Sequence, residues 1–575
     1  MAHDRTALRV LFLVSAHNSL SQRAYIALTE LGHEVAVAVV DSPIAMEAAV
    51  ARHRPDLIVC PMLKKLIPES IWASHRCLIV HPGPRGDRGP SSLDWAIELG
   101  MDEWGVTVLE ANGVLDAGDV WATRTFGMRD AGKSSIYRNE VRRAAIDALE
   151  EAVAKVTAGA GPATPDAPVT GRARPLMRQE VRAIHWGSDS TDTVIRKIRA
   201  AEGHPGVVDS LRGTEFHLFG VHRERRLRGP AGELIAQRDG AVCRATVDGA
   251  VWITHLKQRD GRDRAFFKLP ATRALARAGH SLDMPEIRVR PHASIPAGDT
   301  YREIAYEEHG GVGYLHFAFY DGAMSTDQCR RLREAYLYAR SRPQTKVIVL
   351  MGGGDLFSNG IHLKVIEAAS DPAEESWRNL NAMNALVREV VTTDSHLVIS
   401  ALAGDAAAGG VAFALAADQV VAREDVVLNP YYQHMGGLYG SEYWTYLMPR
   451  RIGPAMTARL TGAPFTPIGT RRAVDMGLLD AAFGATVASF QSEARARAER
   501  LARRADLGHM LEEKQLRRAR DEARKPLEAY RAEEMARSHA CFFRRDRSYH
   551  EARRRFVYKL SAPTASDDAL ERQAA

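Results

Sequence analysis

The sequence predicts an α/β protein of three successive domains. Short apolar runs alternate with helix-like stretches up to about residue 125. A Pro- and Ala-rich stretch, Ala158–Pro168 (AGAGPATPDAP), then breaks the pattern, and a second alternation begins near Tyr301. The expected boundaries are 1–156, 172–295 and 300–575. In the first domain, strands are expected at Val10–Val14, Val35–Val40, Leu57–Cys60, Leu78–Val80 and Val106–Leu109, with helical spacing over Leu20–Leu31, Met46–His53 and Ser92–Leu99. Strands alternating with helices predict a parallel sheet with right-handed crossovers. The second domain carries one helical stretch, Ser190–Ala201, and short strands at Glu215–Val221, Gly232–Gln237, Ala241–Thr246 and Val251–His255, which predict a small β-barrel with a helix. The third has strand-like runs at Val312–Phe319, Lys346–Met351, Leu397–Leu402 and Gln419–Ala422. It ends in an Arg-, Glu- and Ala-rich helical region, Ser489–Arg555, broken by Pro526.

Composition narrows the function classes. Of 575 residues, 45% are hydrophobic and 26% charged, which excludes collagen, coiled coil and disorder for the chain as a whole. Lys and Arg number 77 against 71 Asp and Glu, and a surplus of six over this length does not call for nucleic acid. The five cysteines, Cys60, Cys77, Cys243, Cys329 and Cys541, form no CxxC pair and read as reduced thiols of a cytoplasmic protein without a metal site. No run reaches the ~18–20 apolar residues of a membrane span, and Val10–Val14 is too short for a signal peptide, so no membrane partner is expected.

The strand at Leu78–Val80 delivers His81 into the loop Pro82-Gly83-Pro84-Arg85-Gly86, and Gly113–Asp119 (GVLDAGD) makes a second strand-end loop with Asp116 and Asp119. Active sites of open α/β sheets gather at such carboxyl ends, and a His and an Asp on neighbouring loops can orient each other for proton transfer. The string HPGPRGDRGPSSLDWAIELGMDEWGVTVLEANGVLDAGDVWA, from His81 to Ala122, resembles the formyltetrahydrofolate-dependent formyltransferases. The resemblance implies a Rossmann-like domain, N10-formyltetrahydrofolate as donor, and His81 and Asp116 as the catalytic pair. The family's Asn, two residues before the His, is Ile79 here. That Asn helps hold the oxyanion, and losing one such donor costs ~3 kcal/mol. The departure favours a thiol over an amine as formyl acceptor, because a thiol attacks as thiolate. The resemblance also lays the folate along Pro61–Pro68, which makes Leu63, Lys64, Lys65 and Ile67, with Gly113, Leu115 and Asp119, the candidate folate contacts. Lys64 and Lys65 fit a solvated turn and the folate's glutamate tail equally well. The basic stretch Val194–Ala200 (VIRKIRA) is similar to the OB-like accessory domain of methionyl-tRNA formyltransferases; solvated surface is the preferred reading over tRNA binding, and no nucleic-acid partner is expected.

In the third domain, Lys346–Met351 runs into GGGDLFSNGIH (352–362), and ALAGDAAAGGV (401–411) follows. Glycine lets backbone N–H groups approach a ligand, and two of them can hold a thioester oxyanion. With Leu460-Thr461-Gly462 and AVDMGLLD (473–480), these loops resemble the crotonase (enoyl-CoA hydratase/isomerase) superfamily. The resemblance implies oxyanion amides at Ile361 and Gly409, and coenzyme A near Ala323, Met324, Ser358, Gly360 and His362. The two glutamates of hydratases fall on Ala412 and on Tyr431 or Tyr432, so ordinary hydration is rejected; Glu442, in GSEYW, is the nearby carboxylate.

The strings GDRGPSSLDWAI and YGSEYWTYLMPRRIG extend the similarity over nearly the whole chain to the HypX/HoxX-type hydrogenase maturation proteins. That resemblance implies formyl transfer to coenzyme A, decarbonylation of formyl-CoA with Tyr432 and Glu442 as catalytic groups, carbon monoxide for [NiFe]-hydrogenase, and hydrogenase maturation proteins as partners. Three alternatives stay open: hydrolysis of formyl-CoA to formate, a non-catalytic CoA-binding scaffold, and a tRNA formyltransferase. A pantetheine arm of roughly 20 Å predicts a connected cavity between His81 and Gly409. The basic segments Arg517–Arg520 and Arg553–Arg555 read as a solvated helix face or as a dock for an acidic partner.

Overall fold

The computed structural model describes residues 7–162, 169–259, 266–432, 435–462 and 466–560. The end of the Pro-rich stretch, 163–168, and Gln433, which follows Tyr432, lie outside the described residues.

The first sheet runs in the order Glu34–Val39, Arg9–Val14, Leu57–Cys60, Cys77–His81, Glu103–Glu110, Val120–Gly127. Along Arg9–Val14, Val10, Phe12 and Val14 pack with the helices Ser19–Glu30 and Arg142–Thr157, while Leu11 and Leu13 pack with Pro43–His53 on the other face. Cover on both faces is why the strand reads as one unbroken apolar run. The first four strands are parallel, but Glu103–Glu110 runs antiparallel to both of its neighbours, Cys77–His81 and Val120–Gly127, which corrects the all-parallel expectation. Ser92 Oγ and Trp104 Nε1 both donate to the Pro82 carbonyl, at 2.8 and 3.0 Å, so the connection is held at the end of the sheet where it left and the chain re-enters there, with Thr107 opposite His81.

The middle region is an antiparallel sheet, Val207–Leu211, Thr214–Glu224, Ala250–Gln258, Ala241–Ala245, Leu234–Arg238, with Leu269-Pro270 paired to Ala250–Gln258. The helix Thr191–Ala200, capped by Ser190, lays Val194, Ile195 and Ile198 on it. Among the described residues its outer strands do not pair with each other, so the expected barrel is an open sheet there.

The third region begins with the hairpin Ile304–His309 and Val312–Phe317, continues in parallel through Val347–Met351, Leu397–Leu402 and Gln419–Ala422, and ends at Ala481-Ala482. A second sheet joins Leu356–Ser358, Asp405–Ala407, Val427–Asn429 and Ile468-Gly469. The terminal region forms four helices, Val487–Ala502, Leu507–Arg524, Leu527–Phe543 and Ser548–Tyr558. The first covers the main sheet through Phe490, Ala494 and Ala498, and the third meets Leu380 and Leu438 through Met535 and Phe542.

A polar seam joins the first and third regions. A π-helical turn, Tyr137–Val141, leads into Arg142–Thr157. Ser135 Oγ and Asn139 Nδ2 donate to Asp355 Oδ1 at 2.7 and 2.8 Å, and Arg423 donates to Asn139 Oδ1 at 3.0 Å. Arg142 Nη1 donates to Asp405 Oδ2 at 2.7 Å, and the other carboxylate oxygen accepts from the Val427 amide at 2.9 Å. Arg142 is almost wholly buried. Removing one partner of a buried pair leaves an uncompensated charge. The Arg142→Ala variant is therefore expected to lose about 3–5 kcal/mol in denaturant unfolding, and adding Asp405→Ala to recover part of that loss.

Candidate active site

The first group of residues is built on the carboxyl end of Cys77–His81. Buried Leu78 and Val80 fix the strand, and His81, 4% exposed, sits at its tip. A Cβ on Gly83 would collide with Asp87 Oδ2, His81 Nε2 and Ser92 Oγ, so only glycine lets the loop turn Asp87 back onto the imidazole. His81 Nε2 lies 3.0 Å from Asp87 Oδ2, and Nδ1 lies 3.5 Å from Asp116 Oδ2. Asp87 is held from behind by Arg174 Nη1 at 2.6 Å, whose guanidinium stacks 5.1 Å from the Trp104 ring centroid. Asp116 adopts φ +52° and accepts from the Gly89 amide at 3.2 Å. The ring is thus clamped between two carboxylates, one packed inside and one facing a cavity. Neither Asp87 nor Arg174 stood out in the sequence. Asp87 lies within the GDRGP string, six residues after the His, and that proximity is the one signal that could have found it. Arg174 is far away in sequence, beyond the Pro-rich stretch.

Leu63, Lys64, Lys65 and Leu115 line the same cavity as His81 and Asp116. Ile67 instead packs in the core beneath them, Gly113 lies beside Trp72, and the Asp119 carbonyl accepts the Glu110 amide at 2.9 Å.

The second group sits where two loops of the third region meet. A Cβ on Gly360 (φ +77°) would lie 3.1 Å from the Gly409 nitrogen. Ala408, at φ 48° and ψ −129°, turns the chain into the helix Gly409–Leu415, a conformation that costs energy for a residue with a side chain. Ile361 and Gly409 line the cavity, and among the described residues neither amide donates to a protein acceptor. Ala323 and His362 also line it. Met324, Ser358 and Gly360 stand behind: Met324 N donates to Gly360 O at 2.9 Å, Ser358 Oγ to the Met324 sulfur at 3.2 Å, and Gly360 N to Ser358 Oγ at 3.1 Å. Burial pushes His362 down to about 3, so it is neutral.

Ala412 is buried in the helix Gly409–Leu415 and puts no carboxylate there. Tyr431 and Tyr432 both line the cavity, and Tyr432 is the one that donates to Glu442 Oε2, at 3.0 Å. A Cβ on Gly409 would lie 2.6 Å from Glu442 Oε1, which puts this carboxylate directly over the Gly409 backbone. Burial pushes Glu442 up to about 7, against the hydrogen bonds from Tyr432 and the Ser441 amide.

One cavity of about 1780 Å³ is lined by His81 and Asp116 and also by Ile361, Gly409, Tyr432 and Glu442, so the connection expected between His81 and Gly409 is present. Lys64, Lys65, Arg138 and Arg555 put basic groups on its wall, beside two ion pairs, Lys133 with Asp94 at 2.8 Å and Lys364 with Asp321 at 2.5 Å. Burial, with Lys64 and Lys133 nearby, pushes His204 down to about 4. Such a wall suits a polyanionic ligand.

Three family models match consecutive parts of the chain: formyl transferase over residues 19–153, formyl transferase C-terminal domain over 176–265, and enoyl-CoA hydratase/isomerase over 319–564. The hydrogenase maturation factor HoxX of Bradyrhizobium diazoefficiens is 47% identical over 557 residues, covering 96% of this chain and 95% of that protein. The chain belongs to the HypX/HoxX family of hydrogenase maturation factors. A crystal structure of the family, HypX from Aquifex aeolicus in complex with tetrahydrofolic acid, superposes with a TM-score of 0.92 at 43% identity and covers 97% of both chains. The methionyl-tRNA formyltransferase of Variovorax paradoxus matches 39% of the chain at 27% identity. In this member of the HypX/HoxX family no described helix is long and apolar enough to cross a membrane.

The raised Glu442 has a consequence for stability. Between the ordinary 4.5 and about 7 the folded protein holds a proton at this position that the unfolded chain has released, so stability falls as pH rises through that window. The Glu442→Gln variant is expected to match the wild type in denaturant unfolding at pH 5 and to exceed it at pH 8.

Proposed function

We propose that the protein makes carbon monoxide for [NiFe]-hydrogenase assembly in two steps, moving a formyl group from N10-formyltetrahydrofolate to coenzyme A and then splitting formyl-CoA into CO and coenzyme A. The observation that carries this reading is the single cavity shared by the His81–Asp116 pair and the Ile361–Gly409–Glu442 group. The tetrahydrofolate in the Aquifex relative and the formyl transferase match support folate at the first site. The enoyl-CoA hydratase/isomerase match and the basic groups on the cavity wall support coenzyme A. On this reading Leu63, Lys64, Lys65 and Leu115 contact the folate, Ala323 and His362 the coenzyme A, and the units are 1–156, 172–295 and 300–575.

At the first site the sulfur of coenzyme A attacks the formyl carbon, and His81, steadied by Asp87 and Asp116, protonates N10 as the C–N bond breaks. Ile79 adds no polar donor there, which suits a thiolate nucleophile rather than an amine. At the second site the Ile361 and Gly409 amides hold the carbonyl oxygen. Glu442, with an ionisation near neutral pH, takes the formyl proton while the C–S bond breaks, and then delivers it to sulfur. Tyr432 turns its hydroxyl from the carboxylate toward the departing thiolate. The balance is formyl-CoA to CO and free coenzyme A. The five thiols, none in a disulfide, fit a cytoplasmic protein working with other hydrogenase maturation proteins.

The purified protein, given ¹³C-formyl-labelled donor and coenzyme A, is expected to deliver labelled CO to a haem trap. Glu442→Gln and Tyr432→Phe are expected to cut CO release by about 10²–10⁴-fold while tetrahydrofolate is still formed and formyl-CoA accumulates. His81→Ala is expected to block tetrahydrofolate formation yet still release CO from added formyl-CoA. Labelled formate without CO would overturn the reading.

A further inference from the structure

The turn that carries Glu442 is unusual. Glu442 and Tyr443 follow each other at φ +66° and +59°, after Gly440 at +77°. Two successive left-handed residues with side chains do not persist unless their surroundings enforce them.

What enforces them comes from two helices outside the loops of the site. Glu534, on Leu527–Phe543, is fully buried, and both of its oxygens are spent on this turn. Oε2 accepts from the Tyr443 amide at 2.9 Å and lies 3.2 Å from Ser441 Oγ. Oε1 accepts from the Thr445 amide at 2.8 Å and from Thr445 Oγ1 at 2.5 Å. One turn along the same helix, Ser538 Oγ donates to the Gly440 carbonyl at 2.7 Å. On Pro372–Val391, Asn384 Oδ1 accepts from the Glu442 amide at 2.7 Å, and Asn384 Nδ2 reaches the sulfur of Met535, next to Glu534, at 3.0 Å. The amides of residues 442, 443 and 445 are thus all held by side chains, and Glu534 takes two of them.

We propose that Glu534, assisted by Asn384, is a positioning residue of the second site: it fixes the 440–445 turn so that the Glu442 carboxylate stays over the Gly409 Cα. Its function in turnover rests on the reading of that site as the place where formyl-CoA is split; its effect on Glu442 does not. A carboxylate is required because it accepts in every direction. The amide of a Gln at this position would aim N–H groups at donors, so the conservative substitution breaks the clamp while keeping the volume.

The groups facing Glu442 are the Tyr432 hydroxyl, the Ser441 amide, the Cys329 thiol and Glu534 itself. Loosening the turn lets water reach Glu442, and removing Glu534 takes away a like charge. Both lower the pH at which Glu442 ionises.

The test uses the full-length Glu534→Gln variant with two readouts. The first is infrared titration of the carboxyl band that Glu442→Gln removes. Its midpoint is expected to fall by at least about one pH unit from the wild-type value. The second is steady-state CO release from formyl-CoA, where kcat is expected to drop at least about tenfold with KM changed less than about threefold, since the Ile361 and Gly409 amides are untouched. Asn384→Ala and Ser538→Ala, each leaving Glu534 in place, are expected to shift both readouts in the same directions more weakly, and they stand in if Glu534→Gln does not fold. An unchanged midpoint in a folded Glu534→Gln variant, or in both substitutes, overturns the proposal. So does unchanged kcat in a wild-type-active preparation. If the wild type releases no CO, the titration alone decides, so failure of the decarbonylation reading is separable from failure of this one.

Discussion

The buried ion pair between Arg142 and Asp405 is the interaction on which the arrangement depends. Arg142 opens the long helix that covers the first sheet, and Asp405 opens the short strand that leads through Ala408 to the Gly409 amide. This charged contact, with a second ion pair between Arg23 and Asp425, ties the frame carrying His81 to the region carrying Gly409, four residues after Asp405. The π-helical turn before Arg142 contributes to the same end. Such turns widen the helix locally and recur at functional sites. Here Tyr137, Arg138 and Val141 face the cavity while Asn139 meets Asp355 and Arg423 across the seam. With the two regions locked at this seam, the space between them is a cavity shared by both groups of residues.

On the proposed reading, the second group keeps the amide pair of the crotonase pattern and takes its carboxylate from another position. The positions occupied by hydratase glutamates carry Ala412 and a tyrosine, and the acid arrives from Glu442 on a strained turn. Gly409 is then constrained twice, once by the approach of Gly360 and again by the carboxylate lying over its Cα. A buried carboxylate that ionises near neutral pH is suited to taking a proton from a weak carbon acid and returning it to sulfur.

Much of this was legible in the sequence because it is local. An apolar run ending in His81 before a Pro/Gly loop, and two Gly-rich loops after strands, announce strand ends whose side chains and amides point one way. The turn His309-Gly310-Gly311-Val312, with two successive left-handed glycines, is a hairpin signature of the same local kind. Other features depend on distant contacts. Asp87 and Arg174 act on His81 only after the chain folds back from beyond the Pro-rich stretch. Glu534 sits among the charges of an Arg- and Glu-rich helix, where one buried carboxylate cannot be told from its exposed neighbours. The antiparallel strand at Glu103–Glu110 depends on contacts between distant residues, Trp104 with the Pro82 carbonyl and Thr107 opposite His81, which strand and helix alternation does not convey.

On the proposed reading, the formyl group passes between the two groups of residues on coenzyme A within the shared cavity. Isotope dilution tests it most directly: turnover starts from ¹³C-formyl donor in the presence of excess unlabelled formyl-CoA, and the label in trapped CO is measured over the first turnovers. The account predicts CO with nearly the full label of the donor. Label diluted in proportion to the added formyl-CoA would contradict it.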